Sequence, residues 1–262
     1  MLTYPEMNPI AFHIFSWPVY WYGMMYLVGF LAGWGLLSLR IRLLPLGFTQ
    51  DELSDIVFYA ALGAIIGGRF GYVIFYDWRM LFSDPLFVFQ TWKGGMSFHG
   101  GLLGVVIAMI LYARKMNQSF LALTDFIAPV VPIGLGAGRI GNFINGELWG
   151  RVTSMPWGMI FPNAGMNPRH PSQLYEFSLE GVILFLILWI YSRKPRPLGA
   201  VSGLFALGYG TFRFFAEFFR EPDAQIGFIA WNWLTEGQLL SLPLIAIGIL
   251  LFVFAYRPIG KS

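Results

Sequence analysis

The sequence predicts an all-α integral membrane protein that crosses the bilayer with seven transmembrane helices and forms a single domain over residues 1–262. Three observations carry this prediction. The 262-residue chain is 56% hydrophobic and only 12% charged, whereas soluble domains typically carry about 25% charged residues. Seven apolar stretches approach the roughly 20 residues that a membrane-spanning helix needs. Lys and Arg residues accumulate in alternate connections between these stretches.

Hydropathy sets the boundaries of the seven predicted spans. Between the fourth and the fifth lies a long polar connection, where Pro156, Pro162, Pro168 and Pro171 exclude a continuous helix. In chain order, the predicted spans are Pro18–Leu39, Leu53–Tyr76, Gly94–Ala113, Phe120–Gly138, Leu174–Tyr191, Leu198–Phe219 and Gln238–Tyr256.

The distribution of basic residues predicts the orientation. The first, third and fifth connections and the C-terminus hold nine Lys and Arg residues, including Lys261, whereas the opposite set holds six, including Lys93. Cytoplasmic loops carry the excess of positive charge in membrane proteins. We therefore predict that the N-terminus lies outside and the C-terminus lies in the cytoplasm.

Composition excludes several kinds of chemistry. The chain has no cysteine, which excludes disulfides, zinc–thiolate sites, iron–sulfur clusters and a cysteine nucleophile supplied by the protein. Three histidines without an H-E-x-x-H pattern argue against a metal site, and we predict no cofactor. The small net charge of +3 does not indicate a nucleic-acid partner. No Lys or Arg precedes the first apolar stretch, so no cleavable signal peptide is predicted.

The segment Pro132–Arg151, PIGLGAGRIGNFINGELWGR, combines five glycines with many polar side chains beside apolar sequence. Glycine lets another group approach the backbone closely, and an arginine can make two charge-assisted hydrogen bonds to a phosphate. The alternative interpretation is a glycine-packed helix end that continues into a polar loop. The polar residues of this segment are Arg139, Asn142, Asn145, Glu147 and Arg151.

Polar residues from five predicted spans are expected near the outer membrane boundary. Four of them lie roughly 6–11 Å below it at ~1.5 Å per residue, and Arg139 leaves the fourth span on the same side. Since an arginine at the membrane centre costs roughly 2.5–3.5 kcal/mol on insertion scales, the cluster predicts a polar cavity for an anion such as a phospholipid headgroup. Alternatively, Arg69 and Arg213 pair with Glu217, Glu147 or backbone carbonyls. The four residues are Tyr22, Arg69, His99 and Arg213.

His99 lies in the glycine-rich sequence GGMSFHGG, residues 94–101. Imidazole titrates near physiological pH and can accept a proton in catalysis. The alternative is a hydrogen-bonded structural histidine, but the flanking glycines would let a backbone or a ligand approach the ring. We therefore treat His99 as a candidate functional residue.

Three further patterns concern helix packing and capping. Small residues spaced four apart, from Gly63 to Gly71 and from Gly100 to Gly104, predict close contact between helices. Glu217 shares a helical face with Arg213 and Arg220 and is predicted to hold an arginine in place. The segment RHPSQLYE is interpreted either as functional or as a helix start with Ser172 as its N-cap.

These segments together resemble the bacterial prolipoprotein diacylglyceryl transferases over essentially the whole chain. The resemblance rests on GRIGNFINGELWGR and on the blocks WYGMMYLVGF, GGMSFHGG, RHPSQLYE, RKPRPLGAVSGLF and GYGTFRFFAEFFREPDAQ. It implies seven transmembrane helices in the bacterial inner membrane, a periplasmic N-terminus and an active site towards the periplasm. It also implies that a diacylglyceryl group moves from phosphatidylglycerol to the lipobox cysteine of a prolipoprotein. This first step of lipoprotein maturation would form a thioether and release glycerol phosphate.

The resemblance also implies which residues act. We predict His99, Arg139, Arg213 and Tyr22 as catalytic, with His99 as the base or orienting group for the substrate thiol and the arginines stabilising the departing phosphate. The predicted partners are phosphatidylglycerol, the prolipoprotein signal peptide and the lipid bilayer. The predicted substrate-binding residues are Arg69, Arg139, Asn142, Glu147, Gly150, Tyr209 and Arg213.

Three alternative functions fit the sequence less well. An intramembrane serine protease would use Ser97 and His99, but these lie about 200° apart on a helix and depart from the G-x-S-x-G pattern. An anion transporter would need polar residues along both halves of the spans, and the inner half offers little beyond Asp55 and Asp125. A purely structural membrane protein would not need three arginines buried in one layer. The transferase is favoured over all three.

Overall fold

The computed structural model of the chain describes residues 2–90, 94–222 and 227–257. Lys93 and Lys261, which entered the predicted orientation, lie outside these ranges, as do the last three letters of the block GYGTFRFFAEFFREPDAQ. Helices dominate the described residues. They are α1 (Trp21–Leu43), α2 (Gln50–Tyr76), α3 (Met80–Ser83), α4 (Phe98–Lys115), α5 (Phe120–Ile127), α6 (Val131–Ile144), α7 (Ser172–Tyr191), α8 (Ala200–Ala216) and α9 (Glu236–Ala255).

Several of these helices can cross a membrane. Within the described ranges, α1, α2, α4, α7 and α9 are long and apolar enough, and α5 with α6 would form a sixth span bent by 54°. Helix α8 has 17 residues, about 25 Å at 1.5 Å per residue, which is short for a hydrocarbon core of about 30 Å. The chain is therefore a multi-pass membrane protein with five or six candidate spans. Seven spans and the orientation of the termini stay predictions.

Helix boundaries differ from the predicted ones for local reasons. Helix α1 begins at Trp21 rather than at Pro18, because the preceding residues form a strand. Helix α4 begins at Phe98, since Gly94 and Gly95 have φ values of 77° and 83°, which no helix accommodates. His99 is thus the second residue of its helix and not the fifth residue into a span.

The fourth predicted span is broken and extends further than predicted. Helix α5 ends at Ile127, and α6 begins at Val131 with Pro132 in its first turn, where a missing N–H costs nothing. Helix α6 then continues to Ile144. Arg139 therefore lies inside a helix, which corrects the prediction that it leaves the span.

Four short strands within the described ranges make the all-α prediction incomplete. Strand β1 (Leu2–Thr3) pairs in parallel with β4 (Met159–Ile160), and β2 (Ile10–Ile14) forms an antiparallel hairpin with β3 (Trp17–Tyr20). Hydropathy merges the second hairpin strand with α1, because both are apolar. Near β1, the Tyr4 hydroxyl donates to the carbonyl of Ile144 at 2.9 Å and so holds the C-terminal end of α6.

The chain forms two compact units. The larger unit comprises residues 1–37 and 124–262, and the smaller unit comprises residues 38–123. Each unit is described by itself.

The smaller unit is held together by direct backbone contact between α2 and α4. A Cβ added at Gly67 would lie 2.7 Å from the Gly104 Cα, and one added at Gly71 would lie 2.6 Å from the Gly100 Cα. Neither distance leaves room for a side chain. The predicted close packing of these two helices is confirmed.

In the larger unit, an aspartate anchors the start of α8. The Asp125 carboxylate accepts hydrogen bonds from the Gly199 N–H at 2.6 Å, the Ser202 N–H at 2.7 Å and the Ser202 hydroxyl at 2.6 Å. These N–H groups belong to the first turn, where a helix has no internal acceptors for them and where negative charge is favourable. Asp125 therefore caps α8 from a different element and fixes the helix that carries Tyr209 and Arg213.

Candidate active site

Arginines and carboxylates from three helices form a cluster in the larger unit. Glu176 on α7 is fully buried. Its Oε2 atom lies 2.6 Å from Nη2 of Arg139 on α6 and 2.7 Å from Nη1 of Arg213 on α8. One carboxylate oxygen therefore joins the two arginines that were predicted to stabilise a phosphate.

Two further carboxylates complete the cluster. Glu180 is also fully buried, with one oxygen 3.7 Å from Arg139 Nη2 and the other 4.0 Å from Arg213 Nη1. Glu217 pairs with Arg213 and with Arg220, the latter at 3.1 Å. The prediction that Glu217 holds an arginine is confirmed. The cluster contains three arginines and three carboxylates, so its formal charges balance.

The two arginines are held differently. Both terminal nitrogens of Arg213 donate hydrogen bonds, one to Glu176 at 2.7 Å and the other to Glu217. Arg139 is engaged by Glu176 through Nη2 alone. No hydrogen bond joins its Nε or Nη1 to another residue within the described ranges, and its side chain is 20% exposed. Arg139 therefore has donors free for a ligand.

The sequence builds this cluster by packing glycine against glycine. A Cβ at Gly136 would lie 3.2 Å from the Gly181 Cα, which brings α6 and α7 together one turn from Arg139. The middle of α7, residues Phe177–Ile183, is a π-helix. Such segments are rare and occur frequently at functional sites. Glu176 directly precedes this segment.

Helix α6 and the loop after it bring further predicted site residues together. Asn142 donates to Glu147 Oε1 at 2.9 Å, and Asn145 donates to the same oxygen at 3.2 Å. The Tyr22 ring packs against Gly141, where an added Cβ would lie 2.9 Å from Cδ2 of the ring. Tyr22 also lies within electrostatic range of Glu147 and Arg139. The loop glutamate thus has two amide donors and a tyrosine nearby.

Gly150 lies between two other backbone segments. Its N–H donates to the carbonyl of His170 at 2.8 Å, and the next residue, Arg151, donates to the carbonyl of Phe219 at 2.8 Å. A Cβ at Gly150 would lie 2.6 Å from the His170 oxygen and still closer to that of Phe219. Gly150 is therefore needed for close packing and offers no side chain for binding.

The remaining predicted residue of this unit, Tyr209, lies one turn before Arg213 on α8. Its ring stacks on Phe205 at a centroid distance of 5.9 Å and packs against the core formed by Leu184 and Leu188. The hydroxyl end lies within electrostatic range of Glu180 and Arg213. Tyr209 thus borders the cluster.

The polar segment before α7 corrects one prediction. Ser172 is not the N-cap, since Pro171 occupies that position and the Ser172 hydroxyl donates instead to the Leu148 carbonyl at 3.0 Å. Nδ1 of His170 lies 3.0 Å from the Tyr175 hydroxyl, and burial lowers the pKa of His170 below its usual value of 6.5. The segment fastens the loop after α6 to the start of α7.

In the smaller unit, Arg69 is occupied by backbone carbonyls. It is 2% exposed, and it donates to the carbonyl oxygens of Phe87 at 2.6 Å, Val88 at 3.0 Å and Gly95 at 3.1 Å, and also to Gly94. The alternative that Arg69 pairs with backbone carbonyls is confirmed. This geometry favours a role in shaping the segment before α4 over contact with a substrate.

His99, also in the smaller unit, is exposed in the first turn of α4. Its ring contacts only that of Phe98 among the ring contacts of the described residues, at 5.6 Å between centroids. Ser97 caps this helix, with its hydroxyl accepting from the Gly100 N–H at 3.3 Å. A serine engaged as a cap argues against the protease alternative.

The buried carboxylates Glu176 and Glu180 were missed as site residues. Both lie inside the fifth predicted apolar stretch, where an ionised group is expensive unless it is paired. That signal was available in the sequence. Their pairing with arginines on two other helices was not, because it depends on how α6, α7 and α8 pack.

The predicted site residues are divided between the two units. Arg69 and His99 belong to the smaller unit, and their predicted convergence with the arginines of the larger unit stays a prediction. The larger unit holds the other predicted site residues, on α1, α6, α8 and the loop after α6, namely Tyr22, Arg139, Asn142, Glu147, Gly150, Tyr209 and Arg213.

Comparison with known proteins gives a consistent result. The family described as prolipoprotein diacylglyceryl transferase matches residues 9–254. A phosphatidylglycerol–prolipoprotein diacylglyceryl transferase of Pseudomonas paraeruginosa is 57% identical over 257 residues, which cover 98% of this chain and 97% of the relative. A protein of the same name from Coxiella burnetii is 58% identical, with 98% of each chain covered. The chain therefore belongs to the prolipoprotein diacylglyceryl transferase family.

Proposed function

We propose that this chain transfers the diacylglyceryl group of phosphatidylglycerol to the lipobox cysteine thiol of a prolipoprotein, which is the first step of lipoprotein maturation. Its family and its relatives, 57–58% identical and named for this activity, support the reaction. One observation in the structure supports the site. Glu176 fixes the guanidinium of Arg139 at Nη2, and no hydrogen bond joins Nε or Nη1 of Arg139 to another of the described residues.

The reaction follows from the chemistry of the two substrates. The substrate thiol loses its proton, and the thiolate attacks the glyceryl carbon that carries the phosphate. A carbon–sulfur bond forms while the carbon–oxygen bond breaks, and glycerol phosphate leaves with the bonding electrons. Because the carbon is sp3, no acyl-enzyme and no acyl oxyanion hole are needed. The main demand on the enzyme is stabilisation of negative charge on the departing phosphate.

Arg139 is the residue best suited to meet this demand. An arginine with unused donors can bind two phosphate oxygens at once. Arg213 adds positive charge beside it, although both its terminal nitrogens are engaged by carboxylates. Asn142 and Glu147 would orient the headgroup, with Tyr22 hydrogen-bonding the lipid.

The other predicted residues take supporting or proton-transfer roles. We assign the thiol proton to His99, whose imidazole is exposed in the first turn of α4. Tyr209 would border the lipid headgroup, and Gly150 would shape the backbone around the site. Arg69 would shape the segment before α4 in its own unit. Since the family match extends over residues 9–254, we infer that both units serve one transferase domain.

The proposed setting is the bacterial inner membrane. We infer seven transmembrane helices, with α8 completing the span count, a periplasmic N-terminus, a cytoplasmic C-terminus and a site open towards the periplasm. The distribution of Lys and Arg residues supports this orientation. Both substrates are held in this membrane, so the chain needs no soluble carrier.

A transfer assay tests the function directly. Purified chain in detergent is incubated with phosphatidylglycerol and a lipobox peptide that carries either Cys or Ser. Mass spectrometry is expected to find a diacylglyceryl adduct and free glycerol phosphate with the Cys peptide only. Bound lipid without any adduct would contradict the proposal and would favour an anion-transport function.

Two variants test the assigned roles. Arg139→Gln is expected to lower kcat by at least 100-fold, because removal of one preorganised donor group typically costs 10²–10³ in rate. His99→Gln is expected to lower turnover between pH 6 and 9, and the loss should shrink as pH rises, because more of the substrate thiol is then ionised without a base. Near-normal turnover of either variant would refute the corresponding role.

A further inference from the structure

We propose that Glu176 is a positioning residue that fixes the guanidinium of Arg139 for phosphate binding. Arg213 holds Glu176 in place and so acts on Arg139 through the same carboxylate. This inference rests on the proposed function. It assigns a role to a residue that the sequence did not single out.

The geometry separates the tasks of the three residues. Arg213 donates a hydrogen bond to Glu176 Oε2 at 2.7 Å, and its other terminal nitrogen donates to Glu217. With both ends engaged, Arg213 holds Glu176 in one place. The same oxygen lies 2.6 Å from Arg139 Nη2. Glu176 thus engages Arg139 at Nη2, and no hydrogen bond joins Nε or Nη1 of Arg139 to another of the described residues.

Burial makes the arrangement rigid. Glu176 is fully buried, and a buried carboxylate is costly unless it is paired. The Glu176 side chain therefore has few alternative positions, since loss of either arginine contact would leave its negative charge less well paired in an apolar environment. Helix α7 sets the Glu176 backbone, and the contact of Gly136 with Gly181 sets the distance between α6 and α7.

The exposed part of the Arg139 guanidinium leaves room for a lipid phosphate. Both carboxylates near Arg139 approach the same nitrogen, Nη2, and the side chain is 20% exposed. A phosphodiester approaching the free edge of Arg139 need not displace Glu176. The carboxylate and the phosphate would then lie on different edges of one planar guanidinium, which is a geometry that arginine supports.

The test compares kcat with KM in the full-length chain. Glu176→Gln keeps the shape of the side chain and removes its charge. The positive charge available to bind the phosphatidylglycerol headgroup before the reaction is then at least as large as before. The Arg139 guanidinium, however, loses its fixed position. We expect kcat to fall about 100-fold, equivalent to about 2.7 kcal/mol, with KM for phosphatidylglycerol within threefold of the unsubstituted chain. Such a split reports loss of an interaction specific to the transition state.

A carboxylate-to-amide control comes from a more exposed ion pair in the smaller unit. Asp55 accepts a hydrogen bond from Tyr112 at 3.0 Å and lies 3.9 Å from Lys115, so Asp55→Asn also removes an ion pair. This control is expected to keep both kcat and KM within threefold. A general sensitivity of the enzyme to lost ion pairs would lower its kcat as well.

Each outcome decides the proposal. A kcat of Glu176→Gln within threefold of the unsubstituted chain, per folded molecule, overturns it. A tenfold rise in KM also overturns it, because Glu176 would then serve ground-state binding. If Glu176→Gln does not fold, Glu176→Asp decides, since it keeps the charge but draws the carboxylate back from both arginines. Its kcat is expected to fall about tenfold with KM unchanged, and normal kcat overturns the proposal. An inactive unsubstituted chain would instead refute the proposed function.

Discussion

Replacing Gly150 by alanine is expected to damage the enzyme through the backbone rather than through a lost contact with substrate. The added Cβ would lie 2.6 Å from the His170 oxygen and 2.7 Å from the His170 Cβ, and it would meet the Phe219 oxygen as well. Ordinary contact begins at 3.4 Å. The His170 oxygen must therefore move by about 0.8 Å and the Phe219 oxygen by more, and no rotamer change can absorb a clash with backbone atoms.

The magnitude follows from the bonds at risk. Overpacking of this kind typically costs 1–3 kcal/mol. The hydrogen bonds from the Gly150 N–H to His170 and from the Arg151 N–H to Phe219 would lengthen, each worth about 0.5–1.5 kcal/mol. We expect a loss of about 3 kcal/mol in the free energy of unfolding, equivalent to roughly 6–12 °C in Tm. The end of α8 beyond Arg213 would shift with the Phe219 segment, so kcat should fall too.

Thermal unfolding in detergent and the transfer assay measure the two effects. Gly134→Ala is the matched control, because an added Cβ at Gly134 on α6 meets no heavy atom within 4 Å. Alanine in a helix interior stabilises by about 1 kcal/mol relative to glycine, so the control should unfold no earlier than the unsubstituted chain. The reasoning is refuted if Gly150→Ala has an unchanged Tm while its activity is lost, since Gly150 would then act on the substrate directly.

Two further predictions concern stability. Asp125→Asn should lower the free energy of unfolding by about 2–4 kcal/mol, because three hydrogen bonds to a carboxylate at the start of α8 lose their charge; equilibrium denaturation is the measurement, and an unchanged midpoint would contradict it. Burial lowers the pKa of His170, so the unfolded chain binds the proton at higher pH than the folded chain does. Stability should therefore fall as pH drops from about 7 through 6.5 and level off below the pKa of the folded state. Tm is measured against pH for the unsubstituted chain and for His170→Gln, and equal slopes in the two proteins would disprove this.

The sequence predicted most of the helices, because an apolar stretch of about 20 residues has few alternatives. Boundaries were less predictable where apolar residues continue into another structure. Residues 17–20 are uncharged and run directly into α1, but they pair with β2. Pro129 and Pro132 within one apolar stretch indicate a break between α5 and α6. They do not indicate that the two helices are bent by 54°.

The site was predictable where its residues are close in sequence. Asn142 and Glu147 are five residues apart and bond each other, and the pairing of Glu217 with Arg213 follows from helical spacing. The bridge through Glu176 joins residues 37 positions apart or more and depends on tertiary packing. For Arg69, the sequence predicted a polar partner but not its identity. An arginine in an apolar stretch needs such a partner, and the sequence does not distinguish a ligand from the four carbonyls that the structure shows.

The interlocked glycines of α2 and α4 have a genetic consequence. In most cores, a substitution that adds volume can be rescued by a second substitution that removes volume from the facing side chain. At Gly67 and Gly104 the facing atoms belong to the main chain of the partner helix, which every residue type shares. A screen for second-site suppressors of Gly67→Ala should therefore recover true revertants rather than compensating changes on α4.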